Sequence, residues 1–352
     1  MGFEGVLIMP SRKQRNPTPS ILEVAKLAGV SPATVSRVLH NYPHIRDELR
    51  AKVLEAIASL GYEPNRVAQR LRATDSHLIG MIVTDITNPF FNTIMASIEN
   101  VFFNKGFSLM MSNTASDPEK ELAYLSMMDN EGVAGLVIAT TSENVDEVAA
   151  LADKGLPIVI IDRRMTKGNV DMVLSDNIAG ACSAVEHLIK LGHTRIGHIG
   201  GPLRLTSGRE RYQGYQQAMR EAGLPIEDSW VRFGDHKHQS GYEQTLELLN
   251  SNPSLTALFI ENNMMTLGAL NAIHDYGRRI PDDIAIVGFD DMPWAVSLNP
   301  PLTTVAQATH DIGTRVATRL LERIEQPDLP PRTDIVPTTL IVRASCGAKQ
   351  QS

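Results

Sequence analysis

The chain has 352 residues, 43% of them hydrophobic and 21% charged, with a formal net charge of −7. That length calls for two or three domains, and the composition excludes wholesale disorder. No apolar run approaches the ~20 residues needed to cross a bilayer as a helix, so no membrane partner is expected.

The opening stretch, MGFEGVLIMPSRKQR, sets a short apolar patch ahead of its basic residues and lacks a small-residue cleavage site. It does not read as a secretory signal, and Met9 is a second candidate start. Cys182 and Cys346 fit no metal or redox spacing. They are expected to be reduced thiols in a cytoplasmic protein with no metal and no cofactor. The charge is uneven: residues 11–75 hold eleven Lys/Arg against six Asp/Glu, a local +5, whereas residues from 76 onward carry −11. A basic head on an acidic body is the asymmetry of a nucleic-acid reader joined to something else.

In chain order, Ser20-Ile21-Leu22-Glu23 has the form of a capping box, so a helix is expected to start there. Ile21, Val24, Ala25 and Leu27 fall at helical spacing, and Gly29 ends the helix after about two turns. Ser31 then caps a second helix with Pro32 at its first position, where a missing N–H costs nothing. Val35, Val38 and Leu39 give it an apolar face, with Thr34, Ser36 and Arg37 pointing elsewhere. A third helix is expected over 47–60, with Leu49, Val53, Leu54, Ile57 and Leu60 on one side. Two short helices joined by a glycine turn over a third is either an ordinary small bundle or a helix-turn-helix. The basic charge and the small exposed residues favour DNA.

The string ILEVAKLAGVSPATVSRVLHN, followed by GYEPNRVAQRLR, resembles the head of the lactose-repressor (LacI/GalR) family of bacterial transcription regulators. The resemblance extends from about residue 18 to 346. It implies that Pro32, Ala33 and Arg37 are the base-reading positions. Of these, Arg37 alone can make a bidentate guanine contact, whereas Pro32 and Ala33 read shape or a thymine methyl. Ser20, Ser31, Thr34 and Ser36 suit phosphates. Residues 64–72 read as a basic linker too short to be helical alone. By resemblance they form a hinge helix that orders on DNA, with Leu71 as a minor-groove wedge and Arg66 and Arg70 on phosphates.

From residue 78 the pattern alternates. Apolar strands are expected at 78–84, 108–112, 135–139, 158–161, 195–199, 257–260 and 284–289, with helical stretches between most of them, such as 91–104 and 119–130. This is an α/β body with parallel sheets, and the number of units calls for two sheets. No strand leads into a dinucleotide or Walker glycine pattern, His236-Lys237-His238 lacks further ligands, and no nucleophile–base constellation stands out, so no enzymatic activity is expected. In open α/β sheets ligands bind beyond the strands' carboxyl ends. The polar groups there are Asp85 to Asn88, Asp162-Arg163, Asp176-Asn177, Ser207, Arg211, Asp235-His236, Asn262-Asn263 and Asp290-Asp291. Such a mixture of donors and acceptors suits a polyhydroxylated ligand, with Phe90 and Phe91 available to stack on a ring.

The family resemblance implies a periplasmic-binding-protein-like body of two lobes and three crossovers closing on an effector. It assigns the effector site to Phe90, Phe91, Arg163, Ser207, Arg211, His236, Asn263 and Asp290. Arg163 stands where the purine repressor has an aromatic, which favours a sugar or sugar acid over a nucleobase. Asn263 stands where many members carry Asp.

The implied plan is an N-terminal extension at 1–17, a helix-turn-helix domain at 18–63, a hinge at 64–76, an effector and dimerisation domain at 77–346, and a tail at 347–352. Lobe 1 would comprise about 77–176 and 308–335, and lobe 2 about 177–307 and 337–346. No leucine heptad follows Ser345, so a homodimer on two-fold operator DNA is expected. The function expected is that of a sugar-responsive transcriptional repressor. The alternatives are a nucleobase- or nucleoside-responsive repressor of the same family and a solute-binding protein, which would not explain the basic head.

Overall fold

The computed structural model describes residues 20–39, 45–60, 62 and 76–348. The expected extension at 1–17 and the hinge residues Arg66, Arg70 and Leu71 lie outside the described residues. The chain divides into two units, residues 1–74 and 75–352.

In the first unit, α1 (Ile21–Ala28), α2 (Pro32–Leu39) and α3 (Asp47–Leu60) enclose a small core of Val24, Ala25, Val35, Val38, Val53, Ala56 and Tyr62. The local signals for α1 operate as written. Glu23 N–H donates to Ser20 Oγ (3.4 Å), while Ser20 N–H donates to Glu23 Oε2 (2.6 Å). Gly29 closes the helix at φ +66°, a left-handed conformation that a side chain would strain. Leu27 and Leu54, expected on apolar faces, are 57% and 51% exposed instead. The inward-facing stripe of each helix is filled by small or β-branched residues, and with helices this short the core has no room for a wider face.

The second unit holds two six-stranded sheets of the same design. One has the order β2-β1-β3-β4-β5-β11, from β1 (Leu78–Val83), β2 (Ser108–Asn113), β3 (Gly135–Ile138), β4 (Ile158–Ile161), β5 (Asp171–Ser175) and β11 (Thr333–Val336). The other has the order β7-β6-β8-β9-β10-β12, from β6 (Ile196–Gly200), β7 (Val231–Phe233), β8 (Ala257–Ile260), β9 (Ala285–Phe289), β10 (Thr303–Gln307) and β12 (Thr338–Ile341). All neighbours are parallel except β10 and β12. Central strands such as β3, β4, β8 and β9 are buried along their whole length, because helices cover both faces of a parallel sheet. The expected strands are present within a residue or so. β5, β7, β10, β11 and β12 add to them.

The helices of this unit are α4 (Pro89–Asn104), α5 (Pro118–Glu131), α6 (Asp146–Asp153), α7 (Asn177–Lys190), α8 (Thr206–Glu221), α9 (His238–Ser251), α10 (Asn263–Asp275) and α11 (Thr309–Glu325). The chain passes between the lobes three times: from β5 to α7, from β10 to α11, and from β11 to β12. The crossings are tied together. Asp176 N–H donates to the Val336 carbonyl (2.9 Å), and Ser175 Oγ bonds to Gln307 Oε1. Several helices begin at a side-chain cap just past a strand's carboxyl end. Asn88 accepts from Phe90 N–H (3.0 Å) ahead of α4, and Asn262 accepts from Met265 N–H (2.9 Å) ahead of α10. Those caps deliver polar side chains to the space between the lobes. Among the described residues no helix is long and apolar enough to cross a membrane.

Candidate functional site

On the head, α2 turns Pro32, Ala33 and Arg37 outward, opposite the buried Val35 and Val38. Thr34 and Ser36 are half-buried. The hydroxyls of Ser20 and Ser31 are engaged locally: Ser20 Oγ donates to Glu23 (3.0 Å), and Ser31 Oγ lies 2.9 Å from Thr34 Oγ1. Arg37 leaves the exposed face of α2 with a planar guanidinium fork suited to a paired acceptor.

Between the two sheets of the body lies a cavity of about 280 Å³ at the carboxyl ends of their strands. Seven of the eight expected effector residues line it: Phe90, Phe91, Arg163, Ser207, Arg211, His236 and Asp290. Phe90 and Phe91 form an edge-to-face pair with ring centroids 5.1 Å apart. Asn263 does not line the cavity. It is buried behind the cavity wall, donates from Nδ2 to Asn88 Oδ1 (2.9 Å) on the opposite lobe, and donates its backbone N–H to Asp290 (3.3 Å). Asp176, Asn177 and Asp291 also stand outside the lining. Asp176 caps α7, Asn177 is buried inside lobe 2, and Asp291 pairs with Arg343. Among the described residues, all five non-glycine positions with positive φ (Ala115, Ser116, Asp162, His236 and Asp290) line this cavity. Backbone strain of this kind gathers where a fold aims groups at a ligand.

The lobe 2 wall is a connected polar network. Arg211 Nε donates to Asn177 Oδ1 (2.9 Å), its Nη1 donates to the Glu261 carbonyl (2.6 Å), and its guanidinium lies 3.9 Å from the Phe289 ring centroid. Asn177 Nδ2 in turn donates to Glu210 (3.0 Å), which accepts from Arg164 Nε of the other lobe (2.7 Å). His236 Nε2 meets the fully buried Glu261 carboxylate at 2.8 Å. Burial raises the Glu261 pKa, but the His236 hydrogen bond and the nearby Arg211 outweigh it and hold the carboxyl below its usual range. Gly201 is required here, since a Cβ at that position would fall 1.9 Å from His236 Nε2. Asp290 accepts from Gln307 Nε2 (2.5 Å); burial raises its pKa, against the pull of Arg211. Behind Glu261, His198 is stacked on Tyr215 and Phe259 (centroids 4.9 and 5.4 Å), and burial pushes its pKa down to about 4.

Reasoning from sequence missed Thr140, Thr141, Arg204, Lys237 and Gln307 in the lining, and the buried pair Glu261 and His198 beneath it. A glutamate ending the apolar run ALFI and a histidine inside IGHIG were the available signals, because a polar group in a doubly covered strand needs a reason. His236-Lys237-His238 is not a loop of like histidines. His236 turns inward to Glu261, while His238 Nε2 meets Asn271 (3.0 Å). One group of possible metal ligands lies together among the described residues: Cys182, Glu186 and Glu221, within 4.8 Å of one another. Burial, with Glu186 adding to it, pushes the Cys182 thiol up to about 12, so it stays protonated at neutral pH and is a poor ligand.

Three kinds of likeness bear on this architecture. The profile of bacterial regulatory proteins, lacI family, matches residues 20–65, and that of the periplasmic binding protein-like domain matches residues 185–346. The HTH-type transcriptional repressor PurR of Haemophilus influenzae (strain PittEE) is 38% identical over 331 residues, covering 93% of this chain and 98% of that protein. The lac repressor dimer bound to operator and the anti-inducer ONPF superposes with TM-score 0.82 at 30% identity, over 94% of this chain and 99% of the other. The transcriptional regulator CelR in its cellobiose complex gives TM-score 0.72 at 32% identity, over 93% and 99%.

Proposed function

The chain belongs to the lacI family of bacterial regulatory proteins and is a DNA-binding transcriptional repressor; from that premise we propose that a nucleobase or nucleoside held in the interlobe cleft controls its grip on operator DNA. The observation that carries this reading is the full-length likeness to a repressor named PurR. The sugar effector expected from the sequence yields to its nucleobase alternative on that ground. The cleft's chemistry is compatible with it. Phe90 and Phe91 offer ring faces, while Arg211, Asp290 and the hydroxyl groups offer donors and acceptors to a heterocycle's edge.

Control would run through lobe closure. Arg163–Ser207, Arg164–Glu210 and Asn88–Asn263 already join the lobes across the cleft. A ligand with different affinity for the open and closed forms shifts their populations, and in a homodimer that alters how the hinges at 64–76 present Leu71, Arg66 and Arg70 to DNA. A sugar or sugar acid is the second reading, favoured by the likeness to a regulator solved with cellobiose and by Arg163 in the cleft.

A thermal-shift screen of purine bases, nucleosides, pentoses, hexoses and aldonates tests the choice, because a bound ligand raises Tm by mass action. Purines and nucleosides should raise Tm. Shifts given only by sugars would transfer the assignment to the second reading. For the head, Arg37→Ala should weaken operator binding by roughly 1–3 kcal/mol per half-site and relax preference at one base pair. A footprint and base preference unaltered by the substitution would count against α2 as the reading helix.

A further inference from the structure

We infer that Arg163 sets effector specificity through the unused side of its guanidinium, and that the effector therefore presents two adjacent hydrogen-bond acceptors in one plane. The inference rests on the cleft being the effector site. Arg163 lines the cavity and is 4% exposed. Its three hydrogen bonds all leave from Nη1: to the Asp162 carbonyl (3.0 Å), to the Asp162 carboxylate, and to Ser207 Oγ across the cleft (2.9 Å). The Nε–H is buried with no partner. A buried guanidinium donor is not left unpaired without reason. With Nη1 occupied, the edge remaining for a ligand is the Nε–Nη2 pair, the side of the fork that binds two neighbouring acceptors at once.

A second orphan sits beside it. Thr140 Oγ1 also lines the cavity and is also buried without a partner. Thr140 follows β3 and Arg163 follows β4, strands paired in register at Ile138 and Ile160, so the two groups emerge from adjacent strand ends. The positive φ of Asp162 (60°) turns the chain between β4 and Arg163, and the Asp162 carboxylate holds Nη1. The guanidinium is thus held at Nη1 and left without a partner at Nε. Two orphaned polar groups on neighbouring strand ends describe the complement of a ligand: paired acceptors for Arg163 and a hydroxyl-compatible group for Thr140.

Paired planar acceptors occur in two of the chemistries considered for this cleft. An oxopurine presents O6 and N7 side by side, whereas adenine presents a donor in place of O6. An aldonate presents a carboxylate, whereas the parent aldose does not. Because Nη1 bridges to Ser207 on the other lobe, a ligand held on the opposite edge also fixes the side chain that makes that bridge.

Calorimetric titration of the intact protein with hypoxanthine, adenine, gluconate and glucose tests this. In the pair that binds, hypoxanthine should bind at least ten-fold tighter than adenine, or gluconate than glucose, and the pair identifies the source of the acceptors. Arg163→Lys keeps the charge but loses the fork, and should weaken the favoured ligand by roughly ten- to a hundred-fold. Arg163→Gln should move purine preference toward adenine, since a carboxamide pairs with its N6 and N7. Melting of each ligand-free variant separates misfolding from lost recognition. Adenine or glucose binding as tightly as its counterpart to the wild type overturns the inference while leaving the cleft as the effector site. So does an unaltered preference in both variants. Binding by none of the four overturns both.

Discussion

The two lobes share one strand order yet place their unpartnered polar groups differently. In lobe 2, the buried polar residues facing the cleft are mostly paired with one another: Arg211 with Asn177 and the Glu261 carbonyl, His236 with Glu261, and Asp290 with Gln307. The unpartnered polar atoms of lobe 2, on His198, Glu261 (Oε2) and Asn263 (Oδ1), lie behind the cavity wall, whereas in lobe 1 Thr140 Oγ1 and Arg163 Nε are unpartnered on residues that line it. The lining groups of lobe 2 named above are thus tied to their neighbours, while two lining groups of lobe 1 are not. A shared strand order therefore says little about a site: the side chains carried past the strand ends decide how each lobe lines the cavity.

The comparison breaks most readily at Arg211. Its loss would leave Asn177 Oδ1 without its donor and remove the cation close to Glu261 and Asp290, both buried carboxylates. Breaking one member of a buried charged network costs about 3–5 kcal/mol. Arg211→Ala should therefore lower unfolding free energy by about that amount in denaturant titrations of the ligand-free protein. A loss below about 1 kcal/mol would mean that the lobe 2 network does not hold its own wall.

His198 sharpens the same point through pH. Burial in the Tyr215 and Phe259 stack pushes its pKa down to about 4 from an ordinary 6.5. The unfolded chain takes up a proton near pH 6.5 and the folded chain only near 4, so within that window protons favour unfolding and stability falls as pH drops. Between pH 7 and about 4.5 this site alone should cost about 2–3 kcal/mol. His198→Phe should reduce the stability difference between those two pH values by a similar amount. An unchanged pH slope in that variant would show that His198 titrates as freely in the folded protein as in the unfolded chain.

Local signals carried much of this architecture in the sequence. The capping box at Ser20 and Glu23, Gly29, and the apolar runs of β4 and β8 depend on neighbours a few residues away, and a linear reading finds them. The missed elements depend on distant partners. β7 spans three residues, and β11 and β12 are short and threonine-containing, gaining meaning from pairing with β5 and β10 more than 30 residues distant. The cleft followed the same division. Phe90, Arg163 and Asp290 follow strand ends and were found, whereas Asn263 was expected at the ligand and sits behind the wall. Its neighbour Asn262 takes the lining position because it caps α10, which turns Asn263 toward Asn88 and the opposite lobe.

The smallest expected effect separates the lobes most cleanly. Thr140 Oγ1 is buried and unpartnered, so the folded state already bears the cost of desolvating it. Thr140→Val keeps the branched shape and removes the hydroxyl. In the ligand-free protein it should leave Tm unchanged or raise it slightly, by an equivalent of at most about 1 kcal/mol, the reverse of a polar deletion in lobe 2. Effector affinity should fall, because the lobe 1 lining loses an unpartnered group. If Thr140→Val instead destabilised the ligand-free protein by more than about 1 kcal/mol, the hydroxyl would have a partner of its own. The lining of lobe 1 would then be as fully paired as the lobe 2 groups named above, and the contrast between the two walls would fail at the residue where it is simplest to measure.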